Sequence, residues 1–142
     1  MYSVFDIFKV SIGPSSSHTM GPMIAAKHFR DLIATKSHAE KATQVKANLF
    51  GSLAYTGRAH GSEKGIVLGL AGFSPDSIQA NEIKKTISKV NRVRAINLSS
   101  SIKIPFDIEK DIIFDTKTKP KGHSNTLEII AYGENKQEIL KR

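Results

Sequence analysis

Three of the five histidines lie among glycines and serines, in backbone that forms turns and brings side chains to ligands. His18 closes the run Gly13-Pro14-Ser15-Ser16-Ser17 and precedes Thr19. His60 lies in Gly57-Arg58-Ala59-His60-Gly61-Ser62-Glu63, and His123 lies between Gly122 and Ser124-Asn125. An imidazole, with an ordinary pKa of about 6.5, is partly neutral at physiological pH and suits proton transfer. The bland reading of each is a turn residue in solvent. The Ser15, Ser16 and Ser17 hydroxyls and N–H groups stand just before an expected helix start and could cradle a small carboxylate or phosphate. They could equally be a helix cap and a serine turn. No Gly-Lys-Ser/Thr follows, so the run is not a nucleotide P-loop.

Other chemistries are weakly supported. There is no Gly-x-Ser-x-Gly elbow for a serine hydrolase. His18, His60 and His123 lack the i, i+3 or i, i+4 pairing that marks a metal site, and no metal ligand is expected. The chain has no cysteine, which excludes disulfides, thiolate metal sites and a cysteine nucleophile within it. His28 on a helix and His38 in the following loop read as surface residues.

The elements that must hold the three segments follow from periodicity. Val4, Phe5, Ile7 and Phe8 suit a short helix over Tyr2 to Val10. Gly21-Pro22 starts a helix whose apolar positions Met23, Ala26, Phe29, Leu32 and Ile33 carry it to about Thr35. Val45, Ala47 and Leu49 alternate with Gln44, Lys46 and Asn48, predicting a half-buried strand over Thr43 to Ser52. Gly51 to His60 reads as a connection. A helix over Ser62 to Gly72 contains Gly65 and Gly69, small residues that permit close packing or close backbone approach. Another helix runs from about Asn81 to Val93. Strands are expected at Ile102 to Pro105, Ile112 to Asp115, Thr126 to Tyr132 and Gln137 to Leu140, with a hairpin turn at Gly133-Glu134-Asn135. The expected fold class is α/β, a mixed sheet with helices packed on one face, in one domain over 1–142.

Composition narrows the function further. The 142 residues are 39% hydrophobic, an ordinary globular content. The apolar run Ile66 to Phe73 falls far short of the roughly 18 residues a membrane span needs, and no secretory signal is visible. The reading is soluble and cytoplasmic, with no membrane partner. The net charge of +8 invites a nucleic-acid partner. Yet residues 1–71 carry 8 basic and 4 acidic side chains and residues 72–142 carry 13 and 9, so each half is +4. The cluster Lys84, Lys85, Lys89, Arg92 and Arg94 has no aromatic ring for base stacking and reads as a solvated helix face. No nucleic acid is expected.

Three ordered motifs carry a family resemblance along the whole chain. Ser3-Val4-Phe5-Asp6-Ile7-Phe8 with Ile12-Gly13-Pro14-Ser15-Ser16-Ser17-His18-Thr19 and Gly21-Pro22-Met23 resembles the start of the bacterial iron–sulfur L-serine dehydratases. Phe50-Gly51-Ser52-Leu53, Thr56-Gly57 and His60-Gly61-Ser62-Glu63-Lys64 are similar to their second motif, and His123-Ser124-Asn125 to their third. The family usually has Thr-Asp at Ser62-Glu63 and Gly at Ala59. The resemblance implies the N-terminal β domain of an L-serine ammonia-lyase, similar in fold to the allosteric substrate-binding domain of D-3-phosphoglycerate dehydrogenase. It implies a [4Fe–4S] cluster held by cysteines of an α domain or subunit outside this chain, an isolated chain without activity, and a homo-oligomer. His60 is then the base with His18 as the exchangeable candidate. Ser15, Ser16, Ser17 and Thr19 hold the carboxylate or amino group of L-serine, and His123 and Asn125 are second contacts. The rival reading is a non-catalytic module that binds a small ligand or dimerises.

Overall fold

The computed structural model describes residues 2–11, 19–35, 42–56, 61–99, 102–118 and 125–134. In chain order these form β1 (Tyr2–Ser11), α1 (Met20–Thr35), β2 (Ala42–Phe50), α2 (Ser52–Thr56), α3 (Ser62–Leu70), α4 (Ala80–Val93), β3 (Ala95–Asn97), β4 (Lys103–Pro105), α5 (Ile108–Asp111), β5 (Ile112–Asp115) and β6 (Thr126–Glu134). The main sheet has the order β1-β6-β2-β5; β3 and β4 form a separate ribbon. β2 and β5 are parallel, and β6 is antiparallel to both β1 and β2. Three strands therefore share one direction, with β6 inserted against them.

The α/β class holds, and so does the one-sided arrangement of helices. Val45, Ala47 and Leu49 of β2 and Leu127, Ile129 and Ala131 of β6 are buried in one core with Phe29 and Ile33 of α1 and Ile66, Val67 and Leu70 of α3. The other face of the sheet mixes polar and apolar residues, half-exposed at Lys46, Asn48, Glu128 and Tyr132 and buried at Ile130. There the Asn48 Nδ2 donates to Glu128 Oε1 at 2.9 Å, and Lys9 Nζ lies 3.4 Å from Glu128 Oε2. Lys84, Lys85, Lys89, Arg92 and Arg94 are all exposed, as a solvated helix face requires. No helix among the described residues is long and apolar enough to cross a membrane.

Several elements differ from expectation. Tyr2 to Val10 is not a helix but part of β1, which pairs with β6 from Tyr2↔Glu134 to Ser11↔Thr126. A short apolar run does not separate the periods 2 and 3.6, and its Tyr, Val, Phe and Ile content suits a pleated surface. Gly133 and Glu134 continue β6 rather than turning, because β1 is long enough to pair with them. The connection after β2 contains α2, and β4 joins the missed strand β3 instead of the main sheet. The strand expected at Gln137 to Leu140 lies outside the described residues, as does Asn135.

Candidate functional site

The strand register lines up one edge of the sheet. Ser11 pairs with Thr126, Thr126 with Phe50, and Phe50 with Asp115, so the ends of β1, β2 and β5 and the start of β6 form a row. Each histidine-bearing segment is attached to this row: one follows Ser11, one follows Phe50, and one precedes Thr126. The carboxyl ends of parallel strands are the usual place for ligands in open α/β sheets. Because α1 returns the chain from the end of β1 to the start of the parallel β2, its N-terminus faces the same edge.

Two helix starts meet there through glycines. A Cβ at Gly65 would run into the Thr19 carbonyl oxygen, and one at Gly69 would lie 2.7 Å from Ala26 Cβ, so α3 packs directly on the α1 backbone. The successive contacts 19 with 65 and 23 with 69 make the helices parallel, with N-termini together. Their positive dipole ends favour an anion at that end. Gly61, just before α3, takes φ 79° in the left-handed region, and a Cβ there would lie 3.4 Å from Thr19 Oγ1. Close packing at Gly65 and Gly69 was legible in the sequence; the partner surface was not.

Thr19 is half-buried, and its carbonyl accepts from Met23 N at 3.1 Å, closing the first turn of α1. Asn125 is half-buried and its Oδ1 accepts from both Ser52 N at 2.9 Å and Ser52 Oγ at 2.5 Å. Ser15, Ser16, Ser17, His18, His60 and His123 lie outside the described residues. What the fold does bring together is Thr19, the covalent neighbour of His18, with Gly61, the covalent neighbour of His60. Ser52 was not singled out as a site residue; 73 residues separate it from Asn125, and no local signal joins them.

Asp115, at the end of the row, has its carboxyl held below the ordinary carboxylate range. The Thr118 backbone N–H is the largest cause, followed by the Thr118 hydroxyl; the Lys117 N–H and charge add to it. The Asp115 Oδ1 accepts from Thr118 N at 2.9 Å and Lys117 N at 3.0 Å. The chain offers no thiolate ligand for an iron–sulfur cluster. It contains no cysteine, and no group of three or more metal-ligating side chains occurs among the described residues.

Comparison with known proteins decides the family. Residues 3–142 match the family model of the serine dehydratase beta chain. The chain belongs to that family. An L-serine dehydratase of Haemophilus influenzae is 41% identical over 143 aligned positions, covering 100% of this chain and 31% of the relative. L-serine dehydratase TdcG of Escherichia coli is 38% identical, again over 100% of this chain and 31% of its own. An L-serine dehydratase of Streptomyces coelicolor is 33% identical over 97% of this chain and 30% of its own length. The serine dehydratase beta chain therefore spans about a third of these curated relatives.

Proposed function

We propose that this beta chain is the substrate-handling part of an L-serine ammonia-lyase, completed by a companion α domain or subunit that holds a [4Fe–4S] cluster through its own cysteines. The observation that supports the reading most is that the strand ends Ser11, Phe50 and Thr126, from which the three motif segments lead, lie side by side on one sheet edge, in a chain belonging to this family. A cysteine-free chain cannot hold such a cluster with thiolates, which agrees with placing it on the companion.

In this reading His60 takes the α-proton of L-serine, using the basicity of a neutral imidazole. Ser15, Ser16, Ser17, His18 and Thr19, ahead of α1, hold the carboxylate or amino group; the helix dipole there favours the carboxylate. His123 and Asn125 supply second contacts from the start of β6. Loss of the β-hydroxyl as water leaves an enamine, which becomes an imine and is hydrolysed to pyruvate and ammonia. By the same family resemblance the complete enzyme is a cytoplasmic homo-oligomer.

The test is pyruvate formation from L-serine by this chain combined anaerobically with a cluster-loaded companion, with each part alone as control. The expected result is turnover by the mixture only, and a fall of about 10²–10⁴-fold on His60→Ala, the scale of general acid–base catalysis. Association without turnover would favour a non-catalytic ligand-binding or dimerising module.

A further inference from the structure

The short helix α2 has two faces with different work. Leu53 and Ala54 are buried, which fixes the helix to the core, while Ser52 and Tyr55 are exposed. Gly51, at φ 69°, turns the chain between β2 and α2, and its carbonyl accepts from Ala54 N and Tyr55 N at 2.9 and 3.2 Å. α2 is thus held to the end of β2 by backbone bonds and by burial. Its exposed residues reach two other segments: Tyr55 Oη donates to the Thr116 carbonyl at 3.1 Å, and Ser52 donates to Asn125 Oδ1. Thr116 follows β5 and Asn125 precedes β6, so both ends of the β5–β6 connection are tied to one helix.

We infer that Ser52 is a positioning residue: it fixes the Asn125 amide so that Asn125 meets the substrate as a donor only, with Tyr55 anchoring the other end of the same connection. An asparagine amide offers one acceptor oxygen and one donor NH₂. Ser52 N–H can only donate, so a flipped amide would set donor against donor. The oxygen is therefore committed to Ser52, and the Nδ2 group is what remains for a ligand. A donor complements the carboxylate of an amino acid and not its ammonium group. The role rests on the L-serine reading above.

The test uses the complete enzyme, this chain with its companion, and four substitutions. Ser52→Ala keeps the N–H bond that sets which way the amide faces but removes the hydroxyl bond that holds it in place, and raises KM for L-serine about tenfold with kcat nearly unchanged. Ser52→Thr, which keeps the hydroxyl, restores KM. Asn125→Asp keeps an oxygen towards Ser52 but replaces the donor by an acceptor, and raises KM further. Tyr55→Phe raises it less than Ser52→Ala. An unchanged KM for Ser52→Ala or for Asn125→Asp overturns the assignment.

An independent readout is the side-chain amide signal of Asn125 in the ¹⁵N–¹H spectrum of this chain. Ser52→Ala moves it while signals from α1 and α3 stay in place, which also shows that the variant is folded. An unmoved Asn125 signal overturns the clamp whatever the substrate. A moved signal in an enzyme whose parent does not consume L-serine upholds the clamp and rejects the substrate reading instead.

Discussion

Adding one methyl group at Gly65 tests the contact that brings the starts of α1 and α3 together. The new Cβ would run into the Thr19 carbonyl oxygen, with Thr19 C at 3.3 Å and Met23 N at 3.4 Å. All of these are backbone atoms of α1 or of the turn leading into it, so no side chain can swing aside. Carbon contacts are comfortable at about 3.5–4.0 Å, so α3 must move away from α1 by roughly 1 Å. Overpacking of this kind costs about 1–3 kcal/mol, against about 1 kcal/mol gained from alanine's better helix propensity. Gly65→Ala is therefore expected to lose up to about 2 kcal/mol. For a chain of this size that lowers Tm by up to roughly 6 °C, measured by calorimetry or circular dichroism.

The functional effect should exceed the loss of stability. A displacement of about 1 Å at a reacting constellation can cost about 10²-fold in rate, and Gly61 and Thr19 move apart with the two helix starts. Gly72→Ala is the control. Its φ of 102° strains any side chain, but the Cβ meets the Arg30 guanidinium just past the C-terminus of α3, away from the sheet edge. It should lower Tm while leaving turnover of the complete enzyme within about twofold. A Gly65→Ala chain that melts clearly above the parent temperature would refute the packing argument. One that is destabilised yet turns over L-serine normally would show that the α1–α3 contact does not position the site.

Phe29→Ala empties a fully buried position and should cost about 3–5 kcal/mol, enough to shift the denaturant midpoint clearly without changing which residues form the sheet edge. The Asp115 carboxyl should titrate below its unfolded value of about 3.9 in an NMR pH series. Because the folded pKa is lowered, the charged carboxylate favours the turn above the unfolded pKa, and this contribution disappears as pH falls through the folded value. Asp115→Asn should leave the Lys117 and Thr118 amide signals insensitive to acid over that range; an unchanged titration of those amides would show that Asp115 does not control the turn.

Much of the chain was readable from local pattern, because period and punctuation act over few residues. The alternation Val45, Ala47, Leu49 marked β2 and its buried face, Gly21-Pro22 marked the start of α1, and three ordered motifs marked the family. β1 was misread because Val4, Phe5, Ile7 and Phe8 satisfy two periods at once. What resolves the ambiguity is pairing with β6, more than a hundred residues away. Gly133 and Glu134 looked like a turn for the same reason: nothing local reveals that a long partner strand continues beside them.

Residue types by themselves determined which chemistry this chain could offer: imidazoles and hydroxyls among glycines and serines, no thiolate, and glycines where another backbone can come close. Which strand ends and helix starts flank those groups was decided only by tertiary structure. Register places Ser11, Thr126, Phe50 and Asp115 in one row, and missing methyl groups at Gly65 and Gly69 set Thr19 against Gly61. The bond from Ser52 to Asn125 exists because β2 and β6 are neighbours in space although far apart in sequence. Composition and spacing carry short-range information; strand partnership and helix contact are properties of the whole packed chain.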